Sequence, residues 1–393
     1  MSSIQKSSTK IGNNSQVLRF AEEGTFKISI FSDLHYGEAQ DSGGSENDAR
    51  TAGVMEKIIS AERPQLVVLN GDLITGGATD SSNSSLYVDR LVTPLLQHDV
   101  HWASTYGNHD SDDNLCPQNV FDRDEQYKNS LTQRMVFNSS AGFTNYYLLV
   151  WPYDMAAETP AVILWFFDTR GGNTCSEMVN NPRMRPNWIH PSVTEWFGKT
   201  HSALTVKYNK TIPSLAFFHI PTYAMRAFQD VGVDDHTEQG INDDVPVKHQ
   251  GYFGTERDYM GQDIAFMQIL LSTQGLIATF SGHDHGNDWC FNWNRQLPGM
   301  NLTGNELNMC FGRRTGYGGY GNWPRGGRQV FLHEPITETS VQTWVRVEDG
   351  TASKQVTLNS TYGHYPYTEE SQASKSAAIA LILIVINLLS WLL

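Results

Sequence analysis

The clearest functional signal in this 393-residue chain is the segment Ser281-Gly282-His283-Asp284-His285, which follows an apolar run at residues 276–280. A short apolar run that ends in a glycine is typical of a buried strand followed by a turn. Two histidines directly after a strand are candidate metal ligands, because neutral imidazole binds many metals. One such pair is weak evidence, so the prediction depends on the rest of the chain.

Four other apolar runs also end in Asp, Asn or His: residues 26–31 precede Asp33-Leu34-His35, 66–70 precede Gly71-Asp72, 102–106 precede Gly107-Asn108-His109-Asp110, and 214–218 precede His219. In α/β sheets, ligands bind at the carboxyl ends of the strands. We therefore expect these side chains to gather at one site.

Helical patterns separate the first runs, at about residues 47–62 and 86–97. This strand–helix–strand order predicts an α/β fold with parallel strands and right-handed crossovers. After His285 the pattern alternates at 330–332, 341–347 and 356–358, which indicates antiparallel strands completing a second sheet. We predict one catalytic domain over residues 25–360, after a flexible segment at 1–24.

The composition restricts the class of partner. The formal net charge of -14 argues against nucleic acid as the main partner, because a phosphate backbone requires a basic face. Asn-x-Ser/Thr sequons favour a glycoprotein of the secretory pathway or cell surface; they begin at Asn13, Asn83, Asn138, Asn209, Asn301 and Asn359.

The two ends of the chain favour different modes of membrane attachment. Residues 377–393 form an apolar tail behind a polar stalk at 361–376, as in a GPI-attachment signal or a membrane anchor. Residues 1–24 lack the apolar core of a signal peptide, which favours a cytosol-facing tail anchor instead. Both interpretations predict association with a membrane.

The expected cluster of Asp, His and Asn side chains suits Fe, Zn or Mn and contains no thiolate. Two cations about 3.5–4 Å apart need a shared carboxylate, and Asp72 is the natural bridge. Such a pair activates water and stabilises an in-line phosphoryl displacement. The residues therefore predict a binuclear metal centre that acts on phosphate esters.

In their order, strand context and approximate spacing, these motifs resemble the calcineurin-like metallophosphoesterase superfamily. The segments Phe218-His219-Ile220-Pro221 and Asn287-Asp288-Trp289-Cys290 are similar to its purple acid phosphatase 16/28/29-like branch. The resemblance implies a four-layer αββα sandwich, in which helices flank two mixed β-sheets.

The resemblance also implies a role for each site residue. The first metal would be held by Asp33, His35, Asp72 and His285, and the second by Asp72, Asn108, His219 and His283. His109 would protonate the leaving oxygen, and Asp110 would orient His109. Thr75 stands where purple enzymes carry a tyrosine, so no purple colour is expected, and the two metals are open to Fe, Zn, Mn or Mg.

The arginines and the cysteines each leave alternatives open. Arg313 and Arg314 lie in a Gly- and aromatic-rich segment. They would either bind the substrate phosphate together with Asn108 and His109, or belong to a surface loop. Four cysteines allow three pairings. The short separation of Cys290 and Cys310 favours a disulfide between them, which would leave Cys116 with Cys175.

The predicted function is a di-metal phosphoesterase in which a metal-bound hydroxide attacks phosphorus and His109 acts as the general acid. Phosphomonoesters are the first choice of substrate. The alternatives are a phosphodiesterase or a protein phosphatase with the same site, and an inactive membrane-anchored binding protein.

Overall fold

The computed structural model describes residues 17–39, 43–75, 79, 82–111, 115–174, 183–337 and 340–364. Residues 1–16, most of the predicted stalk and the apolar tail at 377–393 lie outside these ranges. Within them, we find no helix whose length and apolarity would let it cross a membrane. The predicted tail anchor therefore stays a prediction.

Two mixed sheets form the centre of the fold. The first has seven strands, in spatial order β1 (Leu18–Arg19), β5 (Tyr146–Trp151), β6 (Val162–Phe167), β7 (Ser214–Phe218), β8 (Leu276–Ser281), β10 (Leu307–Phe311) and β9 (Cys290–Trp293). The second has six, in the order β13 (Val356–Thr357), β12 (Val341–Val347), β11 (Gly326–His333), β2 (Thr25–Phe31), β3 (Leu66–Asn70) and β4 (His101–Thr105). The strands β2, β3 and β4 are parallel, as are β6, β7, β8 and β10.

Helices cover the outer face of each sheet. Three apolar clusters define the layers, because β3 contributes Leu66 and Val68 to the cluster between the sheets but Val67 and Leu69 to the outer cluster. That outer cluster also contains residues of α1 (Gly44–Glu62), α2 (Ser84–Gln97) and α3 (Pro117–Asp124). The third cluster joins the first sheet to α4 (Pro191–Tyr208), α5 (Tyr223–Val231) and α6 (Ile264–Ser272). The predicted αββα sandwich is confirmed.

Residues on both sides of the predicted domain of 25–360 also pack against the sheets. Leu18 and Arg19 pair with the end of β5, and Phe20 is buried in the core between the sheets. At the other end Tyr362 is also buried and donates a hydrogen bond from its hydroxyl to the carbonyl of Cys290. A two-residue strand and a single anchoring aromatic are too short to produce a recognisable periodic pattern.

The favoured cysteine pair forms a disulfide bond. Cys290 and Cys310 lie directly opposite each other on the antiparallel strands β9 and β10. Cys116 is also disulfide-bonded. Cys175, its predicted partner, lies outside the described residues.

Candidate metal centre

The predicted ligands lie where the carboxyl ends of both sheets meet. β2, β3 and β4 bring Asp33 and His35, Asp72, and Asn108 from one sheet, and β7 and β8 bring His219, His283 and His285 from the other. Asn70 connects the two edges, since its carboxamide donates to the carbonyls of Phe218 (3.3 Å) and Phe280 (3.2 Å). These hydrogen bonds hold the ends of β3, β7 and β8 together, so the candidate ligands from both sheets lie at one site.

One group of ligands consists of Asp33, His35 and His285, which are all buried and offer ligand atoms within 4.8 Å of one another. The Nε2 atoms of His35 and His285 face each other at 3.1 Å, and Nε2 of His285 lies 3.5 Å from Oδ1 of Asp33. The atoms thus converge on one point, as the ligands of a single cation do.

A second group consists of Asp72, His219 and His283. Nε2 of His219 lies 3.0 Å from Oδ2 of Asp72, and Nε2 of His35 in the first group lies 3.9 Å from the same oxygen. Asp72 therefore stands between the two groups, where a bridging carboxylate is required.

The Nδ1 atoms of three candidate histidine ligands contact oxygen atoms of neighbouring residues. Nδ1 of His219 lies 2.8 Å from the carbonyl of Asn70, and Nδ1 of His285 lies 2.8 Å from the carbonyl of Tyr320. Nδ1 of His35 lies 2.7 Å from the hydroxyl of Thr75. Such contacts orient the ring and leave Nε2 available to a metal.

The donors also have the chemistry of a metal site. Oδ1 of Asn108 is buried and makes no hydrogen bond within the described residues. A buried polar atom without a hydrogen bond is costly, and coordination to a cation removes that cost. Carboxylate, amide and imidazole ligands without thiolate suit Mn, Fe, Zn or Mg. The residues therefore fit a binuclear centre, whose metals they leave undetermined.

Without metal, His219 is favoured as a cation, whereas His283 and His35 are favoured as neutral imidazoles. Burial opposes protonation of His219, but the charges of Asp72 and Asp33 raise its pKa to about 10. Burial and the charge of His219 lower the pKa of His283 to about 3. Burial together with His109 and His285 also lowers the pKa of His35. A metal at the second group must therefore displace a proton from His219.

Four candidate ligand residues adopt left-handed backbone conformations, in which non-glycine residues are uncommon. The φ values are 55° for Asp33, 49° for His35, 50° for Asp72 and 79° for His283. Such residues typically cost about 1–3 kcal/mol each and persist where the surrounding structure holds them, often at active sites. The tight turns that follow β2, β3 and β8 thus direct successive side chains toward one site.

Two glycines permit the close approach of these loops. A Cβ on Gly71 would lie 2.5 Å from the side chain of His219, and one on Gly107 would lie 2.3 Å from Oδ1 of Asp72. Gly71 is therefore required by contact and by its φ of 87°, and Gly107 by contact alone.

Asp110 binds the neighbouring loops through their backbone. Its Oδ1 accepts hydrogen bonds from the amides of Leu73 (2.9 Å) and Ile74 (3.0 Å), and its Oδ2 accepts one from Gly107 (2.8 Å). The amide of His109 in turn donates to Oδ1 of Asp72 at 2.8 Å. Asp110 therefore positions the His109 turn through the backbone, a more indirect arrangement than the sequence analysis predicted.

The structure contradicts the substrate-binding role predicted for two arginines. Arg313 is buried, forms a 2.6 Å ion pair with Asp288 and donates to the carbonyl of Pro324. Arg314 is 1% exposed. Its guanidinium donates to the backbone carbonyls of Gly316, Gly318, Tyr320 and Gly321. Both therefore stabilise the loop after β10, which sequence alone does not distinguish from a surface loop.

That loop reaches the metal centre through an aromatic ring. The Tyr320 ring stacks on the His285 imidazole, with centroids 4.1 Å apart and planes at 11°. The Tyr320 hydroxyl accepts a 3.2 Å hydrogen bond from the His285 amide. Tyr320 thus forms one wall of the site.

Sequence reasoning missed Asn70 and Lys248. Asn70 carried a usable signal, because it is a polar residue at the end of an otherwise apolar buried strand. Lys248 carried none, because it lies between α5 and α6, outside every metal motif, and only the fold brings it beside Tyr320.

Three known proteins are similar to this chain over most of its length. A dimetal phosphatase from Danio rerio of known crystal structure is similar with a TM-score of 0.49 and 12% identity, over 85% of this chain and 98% of that one. Probable inactive purple acid phosphatase 29 of Arabidopsis thaliana is 26% identical over 84% of this chain and 85% of that protein. Phosphatase DCR2 of Saccharomyces cerevisiae is 25% identical over 86% of this chain and 56% of that protein.

The family comparison covers the whole site. The model of the calcineurin-like phosphoesterase family matches residues 26–287, which include every predicted metal ligand and His109. This chain belongs to the calcineurin-like phosphoesterase family.

Proposed function

We propose that this protein is a di-metal phosphoesterase that hydrolyses phosphomonoesters. The observation that carries the proposal is the pair of ligand groups with Asp72 between them. When bound, two cations at such a site polarise the phosphate ester and lower the pKa of water. The first group would use Asp33, His35 and His285, and the second would use His219, His283 and Asn108, with Asp72 shared.

The chain supplies the proton for the leaving group from His109. Its ring centroid is 5.0 Å from that of His35, and the side chain is half-buried at the edge of the first group. A positioned histidine that protonates a leaving oxygen typically contributes about 10²–10⁴-fold to the rate. Asp72 and Asp110 hold the backbone around this residue, which keeps the imidazole close to the ester.

The names of two similar proteins suggest the alternative that this protein has no phosphatase activity. The names of two Arabidopsis thaliana proteins that are 26% and 27% identical describe them as probable inactive purple acid phosphatases. A chain of that kind would bind metal without turnover. Against this alternative, the present chain keeps the full set of predicted ligands and His109, so nothing that the proposed reaction requires is missing from its sequence.

The test is hydrolysis of p-nitrophenyl phosphate and bis-p-nitrophenyl phosphate by the purified protein with Mn, Zn, Fe or chelator. We expect metal-dependent turnover that is lost in Asp72→Asn, which also loses metal. His109→Asn should lose turnover while metal content is kept. A matched control is His101→Asn, since His101 lies at the other end of β4 and contacts the carbonyl of Asn129.

The outcomes separate the alternatives. Faster hydrolysis of the monoester supports the proposed specificity, whereas faster hydrolysis of the diester supports a phosphodiesterase. Activity on phosphopeptides alone supports a protein phosphatase. Two bound metals without turnover on any of these esters would support the inactive alternative, and the absence of bound metal would refute the proposal.

We also propose that residues 377–393 attach the protein to a membrane. The support is the apolar sequence of this tail, whose structure lies outside the described residues. Expression of the full chain and of a chain ending at residue 376 tests it. A tail anchor or GPI signal predicts that only the full chain sediments with membranes.

A further inference from the structure

Lys248 is fixed beside the metal ligands by its own backbone. Its amide donates to both carboxylate oxygens of Asp284, at 3.2 and 3.3 Å. Asp284 lies between the candidate ligands His283 and His285 in sequence and is buried. The loop that carries Lys248 is therefore tied to the turn that follows β8.

The side chain of Lys248 extends over the wall of the site. Its Nζ lies 4.7 Å from the centroid of the Tyr320 ring, and the same ring stacks on His285. The ammonium group thus lies next to the ring that packs against the candidate ligand His285.

In the described part of the chain the ammonium group of Lys248 forms no close ion pair, although Asp284 interacts with its charge at longer range. Among the residues that the structure describes, no ion pair within 4.0 Å includes Lys248, although Lys27 and Lys199 form such pairs. The side chain is half-buried, so it is also partly removed from water. A partly buried cation at the wall of a proposed phosphate site has an evident partner in the anionic substrate.

We propose that Lys248 binds an oxygen of the substrate phosphate and thereby favours monoesters over diesters. This inference rests on the proposed function and adds a residue that determines specificity. A phosphomonoester carries two negative charges when fully ionised and a diester carries one. A lysine directed at a terminal phosphate oxygen therefore gains more from the monoester, which has one more such oxygen.

The test compares Lys248→Met with wild type on p-nitrophenyl phosphate and bis-p-nitrophenyl phosphate. We expect kcat/KM for the monoester to fall about 10- to 100-fold, the usual range for loss of one charge-assisted hydrogen bond, and that for the diester to change less than threefold. Lys248→Arg, which keeps the charge, should recover most of the monoester activity. Metal content should be unchanged in both variants.

Lys207 is a matched control. It makes a similar cation–π contact, with Nζ 4.9 Å from the centroid of the Tyr208 ring, but it lies near the end of α4. Lys207→Met should leave both activities unchanged. An equal fall on both esters in Lys248→Met, or no fall on either, would overturn the inference.

Binding of inorganic phosphate separates this inference from the proposed function. The metal-loaded protein is titrated with orthophosphate by calorimetry, which requires no turnover. Binding at least tenfold weaker in Lys248→Met but not in Lys207→Met supports the inference even if wild type hydrolyses neither ester. Equal binding in all three proteins, or no binding by wild type, overturns it.

Discussion

The substitution Asp110→Ala tests whether this carboxylate acts through the backbone. Asp110 is fully buried and accepts three hydrogen bonds from the amides of Leu73, Ile74 and Gly107. Alanine removes both acceptor oxygens and therefore all three hydrogen bonds at once. These amides belong to the turns that present Asp72 and Asn108, so the substitution should loosen two candidate ligands together.

The expected loss in the free energy of unfolding depends on how many buried amides lose their hydrogen-bond acceptor. A buried donor left without a partner costs about 1–3 kcal/mol, so three of them predict a loss of at least about 3 kcal/mol in the free energy of unfolding. Asp110→Asn keeps one carbonyl oxygen, which can still accept from the amides of Leu73 and Ile74. Only the amide of Gly107 loses its acceptor, so we expect about a third of that loss in the free energy of unfolding. Because misplacement by about 1 Å costs about 10²-fold, turnover should fall by a similar factor in the alanine variant.

Urea unfolding and steady-state hydrolysis of p-nitrophenyl phosphate measure the two effects. The control is Glu62→Ala, since Glu62 is also buried and binds Lys27, Trp344 and Arg346 near the opposite end of β2. That variant should lose stability and keep kcat. Loss of turnover in Asp110→Ala with stability intact would refute the reasoning and point to direct action on the His109 ring.

Three further predictions concern the centre and its support. Because the pKa of His219 is raised to about 10, its ion pairs stabilise the metal-free protein fully below about pH 6.5. Urea unfolding in the presence of chelator should show that this stability is lost as the pH rises through about 10. Thr75→Val removes the partner of Nδ1 of His35, which should weaken metal binding about 10- to 100-fold in chelator competition and leave folding intact. Removal of the bond between Cys290 and Cys310, 20 residues apart, in a variant with both Cys290→Ala and Cys310→Ala should cost about 3 kcal/mol in urea unfolding, and an unchanged midpoint would contradict this.

The ligand set of the candidate centre was predictable from sequence. Asp33, Asp72, Asn108, His219 and His283 each follow an apolar run, and such runs are local signals of buried strands. Parallel strands bring their carboxyl ends to one edge, so the order of the motifs already implied that the ligands meet. The short spacing of Cys290 and Cys310 likewise favoured a pair that adjacent antiparallel strands form.

Tertiary structure alone decided how the residues around these ligands are used. Arg313 and Arg314 have the composition of phosphate-binding residues, but burial against Asp288 and against backbone carbonyls makes them structural. Lys248 has no local motif, yet the fold brings it to Tyr320, 72 positions away in sequence, by the pairing of distant loops. Local patterns determine which residues end a strand, whereas the packing of loops determines which charges are neutralised inside the protein and which remain available to a substrate.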